Sequence, residues 1–217
     1  FAAARKDMLL IVCGSATSWI INKVLKNHGG LHNRVNLRIS LQPFTLHECE
    51  LYAKNMGIRA TRYELLEYYM VLGGVAFYWS LLDKGKSVAQ NIDSLLFSRT
   101  GQLHNEFNEL YDSLFNNPEP YLRVIDTLGI IKVGLPRTKL LEKISMPSGA
   151  YATRILDDLE ECGFIRKYNA FGKKRNDAIY QLIDNFTLFY FKFMKDNKGD
   201  DEHFWSHSYL SPVRYSW

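Results

Sequence analysis

Apolar positions along the chain change their period twice. Leu9-Leu10-Ile11-Val12-Cys13 is an unbroken apolar run closed by Gly14-Ser15. A run without polar alternation predicts a strand buried on both faces, as in a parallel sheet. Ser18 to Asn27 turns to a helical pattern, Gly29-Gly30 breaks it, and Leu37 to Leu41 predicts a second strand ended by Pro43. Helical spacing then dominates. Thr45-Leu46-His47-Glu48 and Thr61-Arg62-Tyr63-Glu64 both fit the capping box, in which side chains satisfy the free amides of a helix start. Leu65, Leu66, Tyr69 and Leu72 line one helix face up to Gly73-Gly74. Further helices are expected over Val75–Asp83, Val88–Phe97, Leu103–Phe115 and Pro120–Leu128.

Beyond residue 129 the texture changes. Leu135 to Ile144 predicts a short amphipathic helix, and Met146-Pro147-Ser148-Gly149 a turn with Ser148 as N-cap. Ala150 to Glu161 predicts a second helix with Ile155 and Leu159 inward, stopped by Gly163. Phe164–Tyr168 and Ala178–Leu182 read as paired strands around the basic turn Gly172-Lys173-Lys174-Arg175-Asn176. Helix, turn, helix and hairpin is the order of a winged helix. Phe186 to Met194 predicts an aromatic helix docked on the wing. The expected fold is mostly α with small β. Residues 1–44 are the remnant of a parallel α/β core, 45–128 a helical lid bundle, 129–196 a winged helix and 197–217 a C-terminal extension.

Composition narrows the class. The 217 residues are 47% apolar and 14% aromatic, which describes a packed chain and excludes a disordered one. A net charge of +4 permits an acidic partner without demanding one. Cys13, Cys49 and Cys162 stand far apart among apolar neighbours, so reduced, buried thiols and a cytoplasmic setting are expected. No apolar run reaches membrane-spanning length, so no membrane partner is expected. The chain starts at Phe1 without an initiator methionine, and its first strand lacks an evident sheet. The expectation is the C-terminal portion of an α/β nucleotide-binding protein.

A set of short motifs carries a resemblance. Cys13-Gly14-Ser15-Ala16-Thr17-Ser18-Trp19, Gly29-Gly30-Leu31-His32-Asn33-Arg34 and Leu41-Gln42-Pro43-Phe44-Thr45-Leu46-His47-Glu48 are its first pieces. Gly73-Gly74-Val75 and the stretch Leu156 to Ile165 extend it. Together, in this order and spacing, they resemble the later motifs of prokaryotic AAA/STAND-type ATPases of the archaeal-ATPase family. The resemblance implies ATP and magnesium as cofactors of the parent protein, with none bound by this portion. It also implies a neighbouring subunit or a C-terminal nuclease-like domain as partners. Ser15 takes a nucleotide-sensing role in this picture, and Arg34 a catalytic one at the transferred phosphate. Their plain alternatives are a helix-capping serine and a surface ion pair.

The phosphate grip itself is absent from the sequence. A P-loop needs a glycine five residues before its Gly-Lys-Ser, and before Gly85-Lys86-Ser87 that position is Ser80. Two further constellations read as solvated surface. They are His203 and His207 with Asp200, Asp201 and Glu202, and the carboxylates Glu106, Glu109 and Asp112. The wing offers Arg166, Lys167, Lys173, Lys174 and Arg175 as contacts to DNA, with Arg154 on the preceding helix. Asp157, Asp158, Glu160 and Glu161 on that helix oppose such a contact at its C-terminal end. The leading expectation is an ATPase part that couples nucleotide state to a winged helix. The alternative is a winged-helix DNA-binding regulator without ATPase activity.

Overall fold

The computed structural model describes residues 9, 11, 36–37, 39–169, 178–197, 201–215 and 217. The chain divides into two compact units, Phe1–Arg38 and Ile39–Trp217. Of the expected strand Leu9–Ser15, only Leu9 and Ile11 are described. Both are exposed and neither is in a strand, the reverse of burial in a sheet. The expected strand at Leu37–Leu41 fares the same way: Leu37, Ile39 and Leu41 are all exposed and outside any strand. A central strand needs partners on both edges, and among the described residues nothing pairs with either segment.

The second unit is mostly helical with one small antiparallel sheet. Its first helices are α1 (Leu46–Asn55), α2 (Arg62–Leu72), α3 (Ala76–Ser80) and α4 (Val88–Ile92). Both expected capping boxes form. The Thr45 and Thr61 hydroxyls each accept from the amide three residues on. Glu48 and Glu64 accept in return from the threonine amides at 2.7 Å. A third box, Ser87 with Gln90, starts α4. Helix α4 runs on into a π-helical turn, Asp93–Phe97.

Helix α2 stops at Gly73, whose φ of 60° suits glycine. Gly74 then meets the backbone of Phe44 edge to edge. The Phe44 amide donates to the Gly74 carbonyl at 2.8 Å, and a Cβ on Gly74 would stand 2.0 Å from the Phe44 carbonyl oxygen. Only glycine permits that approach.

Helices α5 (Glu106–Leu114) and α6 (Glu119–Ile130) follow, then strand β1 (Leu135–Pro136), α7 (Arg137–Lys143) and α8 (Ala150–Glu161). Strands β2 (Ile165–Asn169) and β3 (Ala178–Leu182) complete the sheet in the order β1-β3-β2. Register sets Arg166 opposite Gln181 and Lys167 opposite Tyr180. Strand β3 alternates, with Ala178, Tyr180 and Leu182 buried, so one face of the sheet meets the core.

Helix α9 (Asn185–Phe189) continues as a second π-helical turn, Tyr190–Met194. The Asp184 side chain caps α9 by accepting from the Thr187 amide. This aromatic stretch is the hub between the helices and the sheet. Phe107 stacks on Tyr190 at 3.8 Å, Phe189 meets Trp205, and Gly129 of α6 leaves room for the Phe191 ring. Across the core, Tyr111 of α5 packs its ring on Phe164 at 4.9 Å. The Asn185 amide donates to the Tyr69 carbonyl at the end of α2.

The C-terminal residues belong to the core. Trp205 in the short helix α10 (Phe204–His207) is fully buried, and Asp93 receives its amide and that of Ser206. Arg214 in α11 (Pro212–Tyr215) pairs with Glu67 of α2 at 2.6 Å and lies over the Trp205 ring. Among the described residues no helix is long and apolar enough to cross a membrane.

Candidate nucleic-acid interface

Residues 135–182 carry nine lysines and arginines against six aspartates and glutamates, a net charge of +3. Residues 45–128 carry seven against eleven, a net charge of −4. Lys173, Lys174, Arg175 and Asp177 of this stretch lie outside the described residues, and its described residues carry six bases against five acids. The way these cations are held sets them apart. Every described ion pair joins residues outside 135–182: Arg62 with Glu50, Arg214 with Glu67, Lys195 with Asp126, and the histidines His47 and His207 with carboxylates.

Four described cations of this region, Arg137, Arg154, Arg166 and Lys167, rest on neutral partners instead. Arg166, on β2, donates twice to the Gln181 amide oxygen, at 2.9 and 2.7 Å, and lies over the Tyr168 ring. Gln181 is itself fixed, since its amide nitrogen donates to the Lys132 carbonyl at 2.7 Å. Lys167 lies over the ring of buried Tyr180. Arg154 is exposed on α8 and lies over Tyr151. Lys173, Lys174 and Arg175 lie outside the described residues.

Two features of α8 differ from expectation. Its N-cap is Gly149, in extended backbone, and no side chain caps the helix. The Ser148 hydroxyl expected there instead accepts from Arg137 at 2.7 Å, and the same guanidinium donates to the Thr153 hydroxyl at 3.0 Å. Arg137 begins α7, yet its charge sits against the N-terminal half of α8. Sequence spacing gave no signal for it, because the two residue stretches meet only through the turn at 144–149.

The second difference concerns the acidic residues. Asp158 is buried and accepts from the Tyr121 hydroxyl of α6 at 2.7 Å. It faces the core, not a ligand. Exposed Asp157, Glu160 and Glu161 remain in the C-terminal half of the helix. The exposed face of α8 is thus polarised along its axis, with Arg137 and Arg154 at one end and three carboxylates at the other. Burial of the Tyr121 hydroxyl, reinforced by its bond to Asp158, pushes that phenol's pKa upward and keeps it a donor.

The nucleotide candidates Ser15 and Arg34 lie outside the described residues. Gly85-Lys86-Ser87 follows α3 and a turn, not a strand, and the Ser87 hydroxyl is engaged in capping α4. That arrangement is not a phosphate-gripping loop. Among the described residues no three His, Cys, Asp or Glu side chains converge as a metal site requires. His203 and His207 are exposed, with His207 held by Asp201 at 2.8 Å. Burial pushes the Cys49 thiol up to about 12, so it stays protonated and inert.

No protein-family model, no curated protein and no solved structure matches the chain.

Proposed function

We propose that the chain works in an ATP-driven switch of the AAA/STAND kind, with residues 135–182 as a winged helix whose position follows the nucleotide state. The observation that carries this reading is the contact of Phe44 with Gly74. Two motif pieces thirty residues apart meet backbone to backbone, and a side chain at Gly74 would break the contact. A glycine kept free for close approach is what such a motif requires physically.

The packing around α5 and α6 gives the reading a relay. Tyr111 and Tyr121 join these helices to Phe164 and Asp158 of residues 135–182 through a shared core. Dense cores transmit displacement instead of absorbing it. A push on the helices is therefore carried to α8 and the sheet. Bound ATP would supply phosphoryl transfer. The described residues offer it no grip, so Ser15 and Arg34 are the candidates in this chain for sensing it.

Purified as it stands, the chain should show no ATP turnover above background, because it has no P-loop. In an ATPase that joins this chain to a P-loop core, Arg34→Ala should lower kcat by orders of magnitude while ATP affinity stays. Charge develops on the phosphoryl group mainly in the transition state, so an arginine that meets it there acts on turnover. Lysine should not restore the rate, since a point charge lacks the planar fork. Ser15→Ala should cost less, a single neutral hydrogen bond. Undiminished turnover in Arg34→Ala would overturn the assignment.

A further inference from the structure

We propose that Arg137, Arg154 and Arg166 contact the phosphate backbone of duplex DNA, without regard to its sequence. This goes beyond the nucleotide reading and stands apart from it, since it rests on α7, α8 and β2 alone.

The first argument is how the charges are held. A guanidinium bound to a carboxylate is neutralised in place. Arg137 and Arg166 are oriented by hydroxyls and an amide, so their positive charge is kept. Each also keeps N–H donors in hand, because a guanidinium has five. Their orientation is set before any ligand arrives, which lowers the entropic cost of binding.

The second argument is number and spread. Three arginines on three elements suit a polyanion with repeated charges better than a single small anion. Asp158, four residues after Arg154 on α8, is turned into the core and accepts from Tyr121. Asp157, Glu160 and Glu161 repel phosphate at the far end and so fix the orientation in which the helix can approach.

The third argument selects duplex DNA. The major groove of B-DNA admits an α-helix, whereas that of A-form RNA is too deep and narrow. Single strands are bound by stacking bases on open aromatic faces. Here Tyr151 and Tyr168 lie beneath Arg154 at 5.3 Å and Arg166 at 5.2 Å. Each ring is exposed in part, and its arginine occupies one face, so a base would have to displace the guanidinium to stack there.

The test is fluorescence anisotropy of the full chain with a labelled duplex of arbitrary sequence, across a salt series. The wild type should bind, with an affinity that falls as salt rises and is equal for unrelated duplexes. Arg137→Ala and Arg166→Ala should each weaken binding on the order of tenfold and flatten the log–log salt slope by about 1. Arg137→Lys should keep the slope, because its charge remains. Arg62→Ala, which breaks an ion pair with Glu50, should change neither quantity. Thermal melts of each variant check that it folds. Absence of salt-dependent binding by the wild type would overturn the proposal. So would a doubly substituted Arg137→Ala, Arg166→Ala chain that keeps the wild-type slope, or tighter binding to single-stranded DNA or duplex RNA. None of these outcomes touches the ATP reading, which is judged by turnover.

Discussion

The helices of residues 45–128 and the sheet region of residues 135–182 share one core, yet their charges are handled in opposite ways. In the first, acids outnumber bases, and Arg62 is tied to a carboxylate. In the second, bases outnumber acids, and arginines rest on hydroxyls, an amide and aromatic rings. Exposed ion pairs contribute little to stability, so the difference is not one of holding the fold together. It is one of surface potential. The helices hold Arg62 by Glu50, and their Glu67 and Asp126 hold Arg214 and Lys195, whereas the described arginines of the sheet region are held by neutral groups.

Several substitutions would break or sharpen this contrast. The largest effect is expected at Trp205. It is fully buried, wedged between Phe189 and Phe193, and its indole donates to Glu67. Trp205→Ala should cost about 4 kcal/mol in denaturant unfolding. A loss under about 1 kcal/mol would mean the C-terminal residues are an appendage and not part of the helical core.

Gly74→Ala comes next, at about 3 kcal/mol, because the new methyl overlaps the Phe44 backbone, which cannot rotate away as a side chain would. A melting temperature equal to the wild type would show that the approach of Phe44 to Gly74 is not needed.

Tyr121→Phe probes the junction between the two regions. It strips the buried Asp158 carboxylate of its donor and should cost about 2 kcal/mol. Asp158→Asn should then restore part of that loss in the double variant. If the two single effects simply add, the pair does not interact across the junction.

Glu64→Gln gives a smaller, pH-dependent effect. Hydrogen bonds from the Thr61 amide and hydroxyl hold Glu64 below the usual carboxylate range. A depressed pKa contributes stability that is present above the unfolded-state value and is lost as pH falls through the folded-state value. The variant should therefore melt lower than wild type near neutrality, and the gap should close on acidification. A gap that stays constant into acid would rule out the charged cap as its cause. Glu106, whose pKa burial raises, has the opposite sign: its contribution is lost as pH rises through its folded value.

Smallest of all is Arg154→Ala, which should change stability by less than about 0.5 kcal/mol, since its charge has no carboxylate to lose. A large loss would place Arg154 with the fold-supporting residues of the helical region.

The sequence determined most of what is decided within a few residues, the Ser148 cap lost to Arg137 excepted. Thr45 with Glu48 and Thr61 with Glu64 form the caps they spell. The helix Ala150–Glu161 and the strand Ala178–Leu182 fall where their periods put them, because side-chain periodicity is local. The tertiary structure decided what depends on partners distant in the chain. The apolar residues Leu37, Ile39 and Leu41 have strand-like spacing but no strand to pair with among the described residues, and they are exposed. Asp158 looks like its acidic neighbours in sequence, and only Tyr121, thirty-seven residues earlier, turns it inward. Arg137 reads as the start of a helix, and only the fold of the turn after α7 carries its charge to α8. Trp205 and Arg214 read as an end-piece, and the cavity that receives them is built by Glu67, Asp93 and Phe189. Periodicity reports which face of an element is apolar. It does not report which distant side chain will satisfy a buried carboxylate or hold a guanidinium, because those partners are chosen by packing in three dimensions.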